Sequence, residues 1–392
     1  MPAAVSTVLD HNHPLVSGVT AESPLVRAYQ GVRQKRTPVW FMRQAGRSLP
    51  EYRDLRVGVR MLDACLDPEL SSEITLQPVR RHGVDAGIFF SDIVVPLKLA
   101  GVDVEIIAGK GPVFAHPIRT MEDVLSLPDL DPAALDPVRE GVAHTVAELG
   151  ATPLIGFAGA PFTLAAYLVE GGPSKDHIRA RTLMRSQPET WTALMGWTAH
   201  ITGKFLSAQV EAGASAAQLF DSWAGSLSRA DYVRYVAPAS VRAFDAVRNT
   251  PYTVGGETRH VPLIHFGLVG PQLLPEFRTL GTERRFVDAV GVDYRTPLDE
   301  AAAQLGSDVT LQGNIDPALL AAPWDRLADD THEVLRRGRS ARSHVANLGH
   351  GVPPETDPTV LTRLVELIHS IDVDTLTHAS PQSSSTQKAA AP

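Results

Sequence analysis

The sequence predicts an α/β fold built as a single (β/α)8 barrel. Three observations carry that expectation: eight short apolar runs of strand length, helix-start signals interleaved with them, and no linker-like break between residues 24 and 370. A doubly wound open sheet shows the same alternation and stands as the alternative, because counting strands orders the elements without closing them.

The runs fall at 38–43, 85–90, 153–158, 216–221, 261–266, 287–293, 308–313 and 343–348. They read as continuously apolar segments, the pattern of parallel strands covered on both faces, and not as alternating half-exposed ones. Helix starts are marked by Asp-Pro pairs, in which the carboxylate caps and the proline takes the first helical position. Asp67-Pro68, Asp136-Pro137, Asp316-Pro317 and Asp357-Pro358 all read this way. A helix from Pro188 to about Glu211 carries Trp191, Leu194, Trp197, Ile201, Phe205 and Val210 on one stripe, which predicts packing on a sheet. Residues 1–23 lack periodicity and residues 375–392 are polar and of low complexity, so both ends are expected to be disordered and residues 24–370 to form the barrel.

Composition narrows the function. A formal net charge of −8 and the lack of any Lys/Arg-rich run argue against nucleic-acid binding. Cys65 is the only cysteine, which rules out an intrachain disulfide or a thiolate metal cluster within one chain and fits a reducing cytoplasm. No apolar run approaches the length of a membrane span, and no basic start leads into a hydrophobic block. The expectation is a cytoplasmic protein without membrane or nucleic-acid partners.

In a parallel α/β barrel the chemistry gathers on the loops after the strands. After the first run come Arg43, Gln44, Ala45, Gly46 and Arg47, with Arg53 close behind. Guanidinium forks separated by small residues suit a carboxylate or phosphate, although a surface arginine pair or a helix cap is the plain reading. Later strand ends carry Phe90-Ser91-Asp92, a helix with Tyr167, then Asp221-Ser222-Trp223, His265-Phe266-Gly267, Gly313-Asn314 and Gly349-His350-Gly351. Each has a plain alternative: Asp92 and Ser222 as caps, Tyr167 as a core aromatic, His350 as a turn residue, His265 as a hydrogen-bonded core group. The glycines at 109–111 and 171–172 lack the spacing of nucleotide loops.

Together these segments resemble the uroporphyrinogen decarboxylase family. The resemblance rests on Trp-Phe-Met-Arg-Gln-Ala-Gly-Arg at 40–47, Phe-Ser-Asp at 90–92, Gly-Phe-Ala-Gly-Ala-Pro-Phe-Thr at 156–163 and Tyr-Leu-Val-Glu-Gly-Gly at 167–172. It continues in Leu-Phe-Asp-Ser-Trp-Ala-Gly at 219–225, Leu-Gln-Gly-Asn-Ile-Asp-Pro at 311–317 and Asn-Leu-Gly-His-Gly at 347–351. It implies a (β/α)8 barrel, usually a homodimer, that removes carbon dioxide from the four acetate side chains of a reduced tetrapyrrole in haem biosynthesis, without cofactor or metal. It implies substrate contacts from Arg43, Gln44, Ala45, Gly46, Arg47, Asp92, Tyr167, Ser222 and His350, with Asp92, Arg43, His350 and Tyr167 nearest the chemistry. Ser48 departs from the family, which often has an aromatic residue there. The alternatives are a zinc-dependent, cobalamin-linked methyltransferase of the related barrel type and a non-catalytic tetrapyrrole-binding barrel. The first needs a His-x-Cys pair, whereas Gly267 stands where that cysteine would be.

Overall fold

The computed structural model describes residues 9–282 and 284–376. Its centre is a curled, seven-stranded parallel sheet of β1 (Gly87–Ile88), β2 (Leu154–Gly159), β3 (Ala216–Phe220), β4 (Leu263–Phe266), β5 (Ala289–Gly291), β6 (Thr310–Gln312) and β7 (Ser343–Val345), paired in chain order. The register runs Gly87↔Leu154, Ile155↔Ala216, Ala217↔Leu263, Ile264↔Ala289, Ala289↔Thr310 and Thr310↔Ser343. Seven of the eight expected runs therefore hold strands, most of them shorter than the run, while β2 runs one residue past it to Gly159.

The eighth run, 38–43, forms no strand. It makes one parallel bridge, Val39↔Ala346, beside β7. On its other side the Asp85 N–H donates to the Val39 carbonyl (2.8 Å), and the Val39 N–H is taken by the Asp85 carboxylate (2.8 Å). The ladder stops there because side chains capture the next donors: the Phe41 N–H goes to Gln44 Oε1 (2.9 Å) and the Met42 N–H to Asn347 Oδ1 (3.0 Å).

Helices cover the sheet, and the Pro188–Glu211 helix has the bounds the sequence predicts. Trp191, Leu194, Ile201, Phe205 and Val210 are buried along it, each stabilising the fold by roughly 1.5–3 kcal/mol relative to exposure. Trp197 is only partly buried and donates to the Pro128 carbonyl (2.9 Å). Asp67 and Asp357 cap the helices that follow, and Asp316 caps a 3-10 turn. Asp136 differs: a 3-10 turn, Pro132–Leu135, leads directly into the helix, so Asp136 is its first residue and binds Arg139 (2.9 Å). Two antiparallel hairpins interrupt the alternation, Val104–Ile107 with Gly111–Phe114 and Pro251–Val254 with Glu257–His260.

The expected disorder of residues 1–23 is corrected over 9–23. Leu15 and Ala21 are fully buried, His13 Nε2 bonds the Val210 carbonyl (2.8 Å), and the Thr20 and Ser215 hydroxyls pair (2.8 Å). A few apolar anchors among polar residues suffice because the polar groups find partners in the body of the protein. Residues 1–8 lie outside the described residues. At the other end Val373–Thr375 forms a 3-10 turn against Lys35, and the expected tail lies outside the described residues from position 377.

A buried polar chain crosses the interior of the sheet. Trp40 Nε1 donates to the Tyr29 hydroxyl (2.9 Å), which donates to Gln312 Oε1 (2.6 Å), whose amide donates to Gln218 Oε1 (3.1 Å). Burial pushes the Tyr29 phenol far above its ordinary pKa, so it stays a neutral relay. Tyr29→Phe leaves the Trp40 N–H and Gln312 Oε1 unpaired in the core and is expected to destabilise the protein by about 1–3 kcal/mol. Urea unfolding checks this: the midpoint falls at unchanged slope, whereas an unaltered midpoint removes the chain's structural role.

Candidate active site

The segment after Val39 is shaped from beneath. Gln44 is fully buried, and its amide spans from the Phe41 N–H to the Ala86 carbonyl (2.9 Å), tying this segment to the entrance of β1. Its side chain is thus committed to holding the turn. Arg43 adopts a left-handed φ of 62°, a conformation that a bulky residue keeps only when its surroundings impose it. Arg43 and Arg47 are exposed, Ala45 and Gly46 half-buried. Among the described residues neither guanidinium makes a hydrogen bond or an ion pair. By contrast Arg60, Arg81, Arg185 and Arg295 each sit 2.5–2.8 Å from a carboxylate.

Asp92 lies in the loop after β1. Its Oδ1 accepts the Val94 N–H (3.0 Å) and its carbonyl accepts the Val95 N–H (3.0 Å), so the carboxylate closes a turn just before the short helix Val95–Leu99, whose N-cap is Val94. Asp92 therefore braces a turn of its loop and does not cap the helix, and among the described residues its other carboxylate oxygen makes no hydrogen bond. The residue is half-buried, and burial raises its pKa, opposed by the Val94 hydrogen bond and the charge of Arg43.

Tyr167 is on the helix Pro161–Glu170, half-buried, with its phenol pushed up to about 12 by burial and by the charge of Asp92. His350 is half-buried after β7; burial and then the Arg43 charge lower its pKa. Its Nδ1 accepts the Gly351 N–H (2.7 Å), which puts the proton of the neutral ring on Nε2. Gly351 allows the loop to lie directly on Arg43, since a Cβ there would overlap the Arg43 side-chain carbons. The charges of Arg43 and Asp92 act on each other and on Tyr167, and that of Arg43 acts on His350, so the segment after Val39, the loops after β1 and β7 and one helix meet at a common site.

Ser222 follows β3 and is half-buried, next to Trp223, whose ring packs at a tilt against Tyr167 (3.9 Å between centroids) and against His177 (4.3 Å). Trp223 and His177 are constituents of the site that sequence reading does not single out. The Ser-Trp pair stood in a noted motif, whereas nothing local marks His177. His265 is fully buried, stacked on Phe277 (4.0 Å), with Nε2 3.8 Å from the Asp221 carboxylate. It belongs to the layer between sheet and helices and not to the opening. Cys65 is buried in the helix Met61–Leu66, where burial and the nearby Asp92 charge push the thiol up. Among the described residues no group of three or more His, Cys, Asp or Glu is placed to hold a metal ion, and no helix is long and apolar enough to cross a membrane. Ser48 is buried with its hydroxyl unpartnered, a position where a larger side chain has no polar atom to satisfy.

The arrangement offers the unpaired guanidinium of Arg43, with that of Arg47 on the same segment, a half-buried carboxylate with a free oxygen, and a hydroxyl, a phenol and a neutral imidazole as hydrogen-bonding groups. It is suited to a multiply anionic molecule that also carries N–H groups. A model of the uroporphyrinogen decarboxylase family matches residues 20–371. The chain is 66% identical over 377 residues to uroporphyrinogen decarboxylase of Leifsonia xyli subsp. xyli, covering 93% of this chain and 99% of that one. It is 64% identical over 356 residues to uroporphyrinogen decarboxylase of an Arthrobacter species, covering 91% and 99%. In structure it is similar to a methyltransferase from Methanosarcina mazei, with TM-score 0.71 and 17% identity over 90% of this chain and 98% of the other, a likeness of fold. With a match across nearly all of the described residues, the chain belongs to the uroporphyrinogen decarboxylase family.

Proposed function

We propose that this protein is a cofactor-independent carboxy-lyase that converts the four acetate side chains of uroporphyrinogen III to methyl groups, giving coproporphyrinogen III in haem biosynthesis. The observation that supports the reading is the unpartnered guanidinium of Arg43 acting on the Asp92 carboxylate, with exposed, unpartnered Arg47 four residues further along the same segment. The full (β/α)8 barrel belongs to this proposal too, supported by the two-sided hydrogen bonding of Val39 between Ala346 and Asp85. So do a cytoplasmic setting and a homodimeric state, which rest on the family resemblance. The methyltransferase reading has little support, since His265 turns away from the opening and no thiol neighbours it.

Loss of carbon dioxide from an acetate leaves an electron pair that needs a sink. The pyrrole ring supplies it: protonation of the ring carbon beside the acetate-bearing position gives an iminium-like cation. The carboxylate leaves as carbon dioxide, its electrons neutralise the cation, and the resulting exocyclic methylene takes a proton as the ring carbon loses one, giving the methyl group. The site must stabilise the cation. Asp92, facing the pyrrole N–H groups from a desolvated position, does so by charge and hydrogen bonding. Arg43 and Arg47 hold peripheral carboxylates and choose which acetate is presented. Ser222 and Tyr167 add hydrogen bonds. The lowered pKa of His350 makes it a neutral Nε2–H donor at neutral pH, which suits binding better than acid catalysis.

Anaerobic incubation with uroporphyrinogen, followed by chromatographic counting of remaining carboxylates, is expected to yield the four-carboxylate product; no loss of carboxylates overturns the proposal and leaves a binding protein. Asp92→Asn, with its fold verified by circular dichroism, is expected to lose roughly 100- to 1,000-fold in kcat, and near-normal turnover removes Asp92 from its role. The ionised carboxylate is the active form, and burial raises its pKa. As pH falls through that raised value the group takes up a proton, so the acidic limb of kcat/KM lies above the ordinary carboxylate range. Arg43→Gln removes a charge that holds the pKa down, so that limb moves to higher pH. Gly351→Ala displaces Arg43 and is expected to raise KM about tenfold, equivalent to ~1.4 kcal/mol.

A further inference from the structure

Behind the Ser222–Trp223 turn lies a sealed cluster of polar groups that the reaction does not use. Asp221, His265, Thr163, Tyr232 and Ser240 are all fully buried. Alternation along β3 sends Gln218 and Phe220 to the interior of the sheet and Asp221 outward, against the helices. Asp221 is held at three points: its N–H donates to the Phe266 carbonyl (2.7 Å), its carbonyl accepts the Ala224 N–H (3.2 Å), and its Oδ1 accepts the Thr163 hydroxyl (3.0 Å). The turns after β3 and β4 interlock, since a Cβ on Gly267 would sit 2.7 Å from the Asp221 carbonyl oxygen and one on Gly225 would overlap the Leu268 carbonyl.

Thr163 and Tyr167 lie four residues apart on one face of the helix Pro161–Glu170. That helix is thereby fastened to the turn twice, by Thr163 to Asp221 and by the Tyr167 ring to Trp223 (3.9 Å). The stack alone can slide; a hydrogen bond to a buried carboxylate cannot do so without leaving that charge unpaired. We infer that the Thr163–Asp221 hydrogen bond is a tether that fixes Tyr167 against Ser222 and Trp223, making Thr163 and Asp221 positioning residues for the bound tetrapyrrole. His265 packs against the other carboxylate oxygen, 3.8 Å away, and completes the enclosure. The catalytic part of this inference rests on the decarboxylase reading; the structural part does not.

The experiment uses the full chain and two readouts. Thr163→Val keeps the shape and removes the hydroxyl, whereas Thr163→Ser keeps the hydroxyl. The emission due to Trp223, taken as the difference from the same protein carrying Trp223→Phe, is expected to shift in Thr163→Val and to return in Thr163→Ser. Turnover of uroporphyrinogen is expected to follow it, with kcat falling roughly 10- to 100-fold in Thr163→Val and KM changing less, and to recover within about threefold in Thr163→Ser. Thr163→Val combined with Asp221→Ala is expected to lose no more than Asp221→Ala alone, because both cut one bond. Unchanged Trp223 emission and kcat in Thr163→Val overturn the tether, as do fully multiplicative losses in the double variant. If Asp221→Ala does not fold, the Val and Ser pair decides alone. A wild-type protein without decarboxylase activity overturns the decarboxylase reading, while the Trp223 emission still tests the tether.

Discussion

An acidic protein that binds a polyanion must keep some positive charge unneutralised, and much else in this structure serves that condition. The chain carries a formal net charge of −8. Surface arginines are readily consumed by neighbouring carboxylates, as Arg60 is by Asp63 and Arg81 by Glu51. Arg43 and Arg47 escape that fate because the residues around them are small, amide or apolar: Gln44, Ala45, Gly46 and Gly351. Asp92 feels the Arg43 charge without forming an ion pair with it, and only one of its carboxylate oxygens is taken, by the Val94 N–H. Attraction between the two charges is thus kept for a ligand that can satisfy both signs at once.

Keeping those charges apart requires a stiff backbone. Arg43 holds a positive φ, and amides fix the chain on both sides of it, with Gln44 reaching Ala86 and Asn347 accepting from both Met42 and Leu348 (3.0 and 2.8 Å). Asn347 therefore links the first motif, at the start of the chain, with the last, three residues before His350. The same economy appears across the opening, where Asp293 is buried beneath the loop that carries Arg295 and binds its guanidinium (2.5 Å). Positions that touch no ligand thus set the positions that do.

Most of this was legible in the sequence in outline, and the misses have physical causes. Strands buried on both faces read as plain apolar runs, so 153–158, 216–221 and 261–266 fell on β2, β3 and β4. Run 38–43 looked the same and is not a strand, because its hydrogen-bond donors go to Gln44 and Asn347, one of them distant in sequence. The hairpin at 251–260, absent from the sequence reading, turns on Gly255-Gly256, both with positive φ. Gln44 stood inside the most specific motif, yet its amide serves the fold, a distinction that only its partner Ala86 reveals. Composition made residues 9–23 look unstructured, and isolated anchors such as Leu15 carry too little local signal to say otherwise.

The two ends of the sheet show how one residue type is put to opposite uses. At the entry to the strands, Asp85 and Asp288 occupy the same setting, each following a valine and preceding an alanine. Each donates its N–H to the carbonyl of the neighbouring segment and takes that residue's N–H on its carboxylate, Asp85 with Val39 and Asp288 with Leu263 (2.8–2.9 Å). Each also binds a histidine and an arginine, His369 and Arg36 in one case, His260 and Arg285 in the other. Burial works to raise the pKa of Asp288, but these partners prevail and hold it below the ordinary range. Such carboxylates are fully satisfied and lock adjacent strands. At the exit, seven residues after Asp85, Asp92 keeps one backbone partner and no cation within ion-pair distance among the described residues, and there burial prevails and its pKa rises. The contrast follows from the site's task. On the proposed mechanism, a carboxylate already neutralised by histidine and arginine has no field left to offer a developing cation, so the exit end of the sheet forgoes the stabilisation that the entry end collects.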